Sequence, residues 1–340
     1  MLPIPEITVG EAGEIPADEF AAIVQSYRPL VIRQLVRRWP AVLAARRGDA
    51  AIVDYLGGLD SGAVVDLMVG PPAIGGRFFY DDDFHGFNFD RRAVALRPLL
   101  AELLRIADMP DPPALYAGAA GTGELLPGFA RDNPLPLPTP GAEPRIWIGN
   151  RTRVATHFDV SENIACVVGG TRSFTLFPPQ QVANLYVGPL ETTMAGQPAS
   201  LVDPVQPDYE RFPRYHIAEA AAMRADLEPG DAIFIPSLWW HHIEAHDRLN
   251  ILVNYWWGQK DEASAFAALI HALLAVRDVS TAERNGWRSF FEHYVFGDDA
   301  VDAGAHIPEH ARGVLGPPSP SRTQLIVGFL RRALDRAVPR

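Results

Sequence analysis

Thr156-His157-Phe158-Asp159 lies within residues 145–257, a run whose texture differs from the rest of the chain. Short apolar segments recur there at 145–148, 164–168, 173–177, 232–235 and 249–256, separated by Gly, Pro and Asp turns. Each is of strand length, and several short strands punctuated this way predict a β-sandwich or barrel. If His157 and Asp159 share one such strand, they are two residues apart and project from the same face. An imidazole and a carboxylate on the inner face of a barrel fill a hydrophobic core poorly, and become reasonable there if they share a cation.

Alone, a His-x-Asp pair is a weak signal whose bland reading is a surface turn. A second segment strengthens it. Ile233-Phe234-Ile235-Pro236 reads as a strand after the turn Glu228-Pro229-Gly230-Asp231, and Trp239-Trp240-His241-His242 follows. One histidine from this pair, added to His157 and Asp159, completes the two-histidine, one-carboxylate set suited to non-haem Fe(II). Such a set leaves coordination positions open for a bidentate 2-oxo acid and dioxygen, whereas a structural metal site is closed. Arg172-Ser173-Phe174-Thr175-Leu176-Phe177 adds a second pole, because the alternation that turns Phe174 and Leu176 inward turns Arg172 inward with them. A guanidinium inside a barrel needs an anion, and the far end of a dicarboxylate would supply one. The bland alternative is an internal salt bridge. Asn163 and Asn254 are further polar residues in apolar strands, placed either to hydrogen-bond a loop or to orient bound cosubstrate or oxygen.

The flanks are less distinctive. The chain has 340 residues, 48% hydrophobic and 21% charged, with formal charge −11, enough for one large domain or two small ones. That charge argues against a protein that coats nucleic acid. Cys166 is the only cysteine, which excludes an internal disulfide framework and a multi-cysteine zinc site. No apolar run approaches the roughly 18 residues of a membrane span. The first 20 residues are acidic without a basic residue, unlike a secretory signal, so a cytoplasmic protein is expected. Residues 17–27 predict a helix with Phe20, Ile23, Val24 and Tyr27 on one face, and residues 97–106 another. Strands are expected at 30–32, 77–80 and 115–117, while 54–67 fits no clear pattern. Six prolines between 127 and 144 exclude regular helix there. An acidic, aromatic loop, 81–89, could attract a basic partner or pack on its own rings. Apolar helical stripes beyond 260 predict a helical tail whose faces form a homodimer interface or fold back on the barrel.

With these residues in hand, the chain resembles the jumonji C, cupin-like oxygenases, in particular the branch containing the asparaginyl hydroxylase that acts on hypoxia-inducible factor. The matching segments are His157-Phe158-Asp159, Asn163, Thr175-Leu176-Phe177-Pro178-Pro179, residues 207–213, Glu228-Pro229-Gly230-Asp231, residues 235–244 and Val253-Asn254-Tyr255-Trp256. The opening from Pro29 to Pro40 is also similar. The resemblance implies a mainly β fold with flanking helices around a double-stranded β-helix (cupin or jelly-roll) core. It divides the chain into a mixed α/β region at 1–144, a catalytic core at 145–260 and C-terminal helices at 261–340. It implies Fe(II) held by His157, Asp159 and His241, with 2-oxoglutarate and dioxygen as cosubstrates. Arg172 stands where the family usually has a lysine for the distal carboxylate, in a chain whose only lysine is Lys260. Tyr116 matches a tyrosine that bonds the same carboxylate. Val154 replaces a hydroxyl residue of the relatives; Thr152 and Thr156 lie nearby, out of register, and Thr156 is the candidate substitute. The implied reaction is hydroxylation of a protein or peptide side chain. A small-molecule hydroxylase, a demethylase and a non-oxygenase metal-binding cupin (an isomerase or binding module) are the alternatives.

Overall fold

A computed structural model of the chain describes residues 1–9, 14–194, 196–258 and 265–337. It divides into two units, 1–259 and 260–340. The N-terminal part of the first unit contributes β1 (Leu2–Pro3), β2 (Glu6–Thr8), β3 (Leu30–Arg33), β4 (Val64–Gly70), β5 (Arg77–Phe78), β6 (Asp90–Ala95) and β7 (Ala114–Gly121). The central run contributes β8 (Pro144–Gly149), β9 (Arg153–His157), β10 (Glu162–Gly169) and β11 (Arg172–Phe177). It continues with β12 (Met223–Leu227), β13 (Ala232–Ile235), β14 (Trp240–Ala245) and β15 (Asn250–Trp257). These strands form a six-stranded sheet, β1-β12-β11-β14-β9-β5, and a nine-stranded sheet, β2-β3-β13-β10-β15-β8-β7-β4-β6. The central strands pair antiparallel with partners distant in sequence, β11 with β14 and β10 with both β13 and β15, as a jelly roll requires.

Alternation assigns the two faces. Ala165 and Val167 of β10, Phe174 and Leu176 of β11, Ile233 and Ile235 of β13 and Leu252 of β15 meet in one buried cluster between the sheets. The intervening residues of the nine-stranded sheet, among them Ile164, Cys166, Val168, Phe234 and Val253, belong to a second cluster. They share it with apolar residues of α1 (Ala17–Gln25), α2 (Pro40–Arg46), α3 (Asp49–Leu59) and α4 (Leu96–Ile106). A strand covered on both faces shows no polar alternation, which is why 164–168 reads as an unbroken apolar run.

Several local expectations need correction. α1 ends at Gln25, and Tyr27 takes φ 52° and is exposed, so it leaves the apolar face as the chain turns toward Pro29. At 77–80 only Arg77–Phe78 is strand, and Tyr80 makes an isolated bridge to Phe87. The proline-rich stretch admits a single helical turn, α6 (Phe129–Asp132), after a similar turn, α5 (Thr122–Leu125), because Pro127 and Pro134 bracket it without entering it. The unassigned stretch 54–67 divides into the end of α3 and the start of β4. A long segment, 178–222, crosses from β11 to β12 and carries α7 (Tyr215–Ala221).

The second unit contains α8 (Ala265–Ala275), α9 (Thr281–Phe291) and α10 (Pro320–Ala337). Ser280 caps α9 by accepting the Glu283 amide. The expected boundary at 260/261 lies outside the described residues. No helix among the described residues is long and apolar enough to cross a membrane.

Candidate active site

β14 lies between β11 and β9, and His241 is the register partner of His157. The next pair is Ile243 with Val154, so β9 carries one more residue than β14 across this interval. Such a bulge breaks strict alternation and re-aims a side chain, here bringing His157 opposite His241. The imidazole centroids are 4.3 Å apart. The shared-strand reading of His157 and Asp159 is corrected: β9 ends at His157, and Asp159 lies in the turn beyond it. That turn is held because Asp159 O accepts the Leu238 amide at 2.8 Å, and Leu238 itself sits at φ 66°. Left-handed backbone at a branched residue is strained, and strain of this kind concentrates at functional sites.

One ligand atom from each of His157, Asp159 and His241 lies within 4.8 Å of the others, with His241 Nε2 3.8 Å from Asp159 Oδ2. Both imidazoles are oriented alike. His157 Nδ1 is 2.9 Å from Ala155 O, and His241 Nδ1 is 3.0 Å from Trp239 O. A carbonyl only accepts, so Nδ1 carries the proton and Nε2 presents its lone pair, the tautomer a metal ligand needs. Burial, reinforced by His157, pushes the pKa of His241 down to about 4, which keeps it neutral. The Asp159 carboxylate is oriented by two donors, Trp256 Nε1 at 3.0 Å and Asn163 Nδ2 at 3.3 Å. Asn254 extends this network, accepting from Trp147 Nε1 at 2.8 Å and donating to Asn163 Oδ1 at 3.4 Å. The two asparagines therefore act on the carboxylate and on each other.

The second pole is unusual. Arg172 is 1% exposed, and its Nε and Nη2 have no hydrogen-bond partner. No carboxylate pairs with it among the described residues, so the salt-bridge alternative fails. Its neighbour is the Tyr116 hydroxyl; burial lowers the guanidinium pKa, and the tyrosine offsets this in part. Tyr116 is itself buried, and that burial raises its pKa. Thr156 is fully buried with an unpartnered Oγ1. Val154 packs with Phe78, Tyr116 and Trp147 and supplies no hydroxyl. Orphaned buried donors of this kind signal a ligand that completes them. The donor chemistry fits both groups: two imidazoles and a carboxylate suit Fe(II), and the Arg172 fork with Tyr116 suits a carboxylate.

Other candidates fall away from this centre. His242 alternates to the opposite face, is buried without a partner for either ring nitrogen, and faces Asp203, Arg153 and Arg77. The loop 81–89 packs on its own rings, with Phe87 stacked between Tyr80 and Phe89 at 5.9 and 5.2 Å. Sequence reasoning does not single out Trp256 or Trp147 as site residues. The available signal was alternation, since Trp256 follows Asn254 by two residues on β15.

Comparison with known proteins follows the same outline. Residues 16–263 match the family model described as a cupin-like domain. The lysine-specific demethylase JMJ31 of Arabidopsis thaliana is 32% identical over 33% of this chain and 20% of its own length. The human bifunctional peptidase and (3S)-lysyl hydroxylase JMJD7 is 26% identical over 68% of this chain and 77% of its own. The tRNA wybutosine-synthesizing protein 5 of Gallus gallus is 30% identical over 30% of this chain and 29% of its own. The chain thus spans less than a third of the Arabidopsis and chicken proteins and about three quarters of the human one.

Proposed function

This chain belongs to the cupin-like domain family, and from that premise we propose that it is an Fe(II)- and 2-oxoglutarate-dependent oxygenase. Its proposed reaction is hydroxylation of a C–H bond on a protein or peptide side chain. The observation that carries the reading is Arg172, a buried guanidinium with two unpartnered nitrogens in the same barrel as the His157, Asp159 and His241 cluster. A buried charge left without a counter-ion costs several kcal/mol, so a site that retains one has an anionic ligand to hold. A closed structural metal site has no use for the second pole, and an isomerase or binding module would need it only for an anionic ligand of its own.

When bound, Fe(II) and 2-oxoglutarate supply dioxygen activation coupled to release of carbon dioxide and succinate, with one oxygen atom passing to the substrate. The protein provides placement. His157, Asp159 and His241 hold the metal, and Trp256 and Asn163 keep the carboxylate from rotating. Arg172 and Tyr116 clasp the distal carboxylate, with Thr156 as a further hydroxyl. Phe174, Leu176 and Ile243 line the neighbouring barrel interior and exclude water.

Protein hydroxylation is favoured over the other chemistries because the lysyl hydroxylase aligns over the largest share of this chain among the three relatives described. A small-molecule hydroxylase or a demethylase would use the same site and is distinguished by its product. The test is succinate release from 2-oxoglutarate with added Fe(II), together with metal content of the purified protein. Turnover that requires both and disappears in His157→Ala supports the reading; full turnover in that variant overturns it.

The chain is further proposed to act as a homodimer. Residues Leu274, Phe290 and Phe329 are each exposed, on α8, α9 and α10 in turn, and none of these helices buries a residue. Apolar faces of this extent call for a partner, and a second copy is the simplest. Light scattering on the full chain should give twice the 37.3 kDa chain mass; the monomer mass overturns this. A cytoplasmic setting accords with the single buried thiol, Cys166.

A further inference from the structure

On β8, alternation places Arg145, Trp147 and Gly149 on one face, and Trp147 there bonds the inward-facing Asn254. Arg145 is the outermost of the three and is exposed, the register partner of Asn254 on β15 and of Gly121 on β7. Its guanidinium lies 5.9 Å from the ring centroid of Trp256, the residue whose indole donates to Asp159. Arg145 Nη1 donates to Ala119 O at 3.0 Å, and Ala119 takes φ 52° in the irregular stretch of β7. That contact and the indole flank the planar head, while no carboxylate pairs with it among the described residues. What sets Arg145 apart from other exposed arginines without a carboxylate partner is its place beside the indole that donates to Asp159.

We propose that Arg145 is a specificity-determining residue that reads a carboxylate on the peptide substrate, an Asp or Glu close in sequence to the side chain being hydroxylated. The inference rests on the oxygenase reading above. Of the two readings of the acidic loop 81–89, the structure shows its rings packed on one another, and the inference turns instead on the cation beside the indole that donates to Asp159. A single arginine fork matches one carboxylate bidentately. A polyphosphate chain would meet the repulsion of the net negative surface, which favours a peptide over RNA.

The test uses the full chain and three synthetic peptide pools, with acidic, basic or alanine residues fixed around a randomised centre, plus a tRNA transcript. Peptide-stimulated succinate release is measured aerobically, and peptide binding is measured anaerobically by tryptophan fluorescence with Mn(II) in place of iron. The acidic pool should bind and stimulate about tenfold better than the basic pool, as one charge-assisted bond at an exposed site allows. Arg145→Gln should raise KM for the acidic pool about tenfold with kcat nearly kept, and Arg145→Glu should transfer the preference to the basic pool. Equal response to the three pools, or an acidic preference unchanged in Arg145→Glu, overturns the inference while leaving the oxygenase reading intact. Stimulation by the tRNA alone, lost in Arg145→Glu, overturns the peptide assignment. Absence of any succinate with wild-type protein would instead count against the oxygenase reading, and the anaerobic binding still reports on Arg145.

Discussion

Arg33 and Arg172 both belong to barrel strands, and the protein treats them in opposite ways. Arg33 on β3 donates to Glu6 and Asp231, each at 2.8 Å, and to the Asp226 carbonyl at 2.8 Å. Asp231 in turn accepts the Gln34 and Glu228 amides, so both Arg33 and its carboxylate partner are answered by protein. Arg172 is more deeply buried and has only a phenol beside it. The first arrangement ties a turn to a strand and is self-sufficient. The second is complete only with an anion from outside. Burial alone therefore does not separate a structural cation from a functional one; the count of satisfied donors does.

The sharpest way to break this contrast is Arg172→Met. If the guanidinium serves a ligand, 2-oxoglutarate-dependent turnover should fall more than about 100-fold while urea unfolding shows unchanged or higher stability, as when a buried charge gives way to an apolar isostere. A variant that unfolds easily would make Arg172 structural after all. Acidification comes next in size. His241 and His242 both have folded pKa values of about 4 against 6.5 for the unfolded residue. Depressed folded values mean the unfolded state binds protons first, so stability is full above pH 6.5 and is lost as pH falls toward 4. The loss should be on the order of 3 kcal/mol per histidine in metal-free protein. Excess Mn(II) should raise stability at neutral pH and carry the loss on below pH 4, because metal holds His241 unprotonated in the folded state while the unfolded chain still takes up its proton. A metal-insensitive profile would place His241 with Arg33, among groups that the protein satisfies unaided.

Smaller effects complete the set. Arg33→Met should destabilise by about 1–2 kcal/mol, since Asp231 keeps its two amide donors, with no change in KM for 2-oxoglutarate. Trp256→Phe removes one donor to Asp159 and should weaken metal affinity about tenfold by isothermal titration, with little loss of stability.

The sequence carried much of this, unevenly. The inward parity of Arg172 with Phe174 and Leu176 follows from a period of two, and β11 obeys it. The same rule misplaced Asp159, because β9 stops one residue before Phe158 and a bulge intervenes. Bulges depend on cross-strand pairing, which a single strand's sequence does not display. β14 is not legible as a strand from its sequence, because Trp240–Ala245 mixes histidine and glutamate with its apolar residues. Those polar side chains find their surroundings only in the folded barrel. His241 and His242 are likewise indistinguishable by spacing alone; the resemblance selects His241, and its pairing opposite His157 agrees with that choice. The N-terminal strands β4, β6 and β7 extend the nine-stranded sheet, a continuity that no local pattern at 54–67 announced.

The pairing of His157 with His241 has a mechanical consequence. The two residues stand 84 positions apart in the chain yet touch across neighbouring strands. A single ion bound to both would act as a clasp closing that long loop. Loop closure is where a cross-link restrains the unfolded chain most. Iron availability would then govern how firmly the barrel stays shut as well as whether it turns over, and a chelator should lower the melting temperature before any substrate is present.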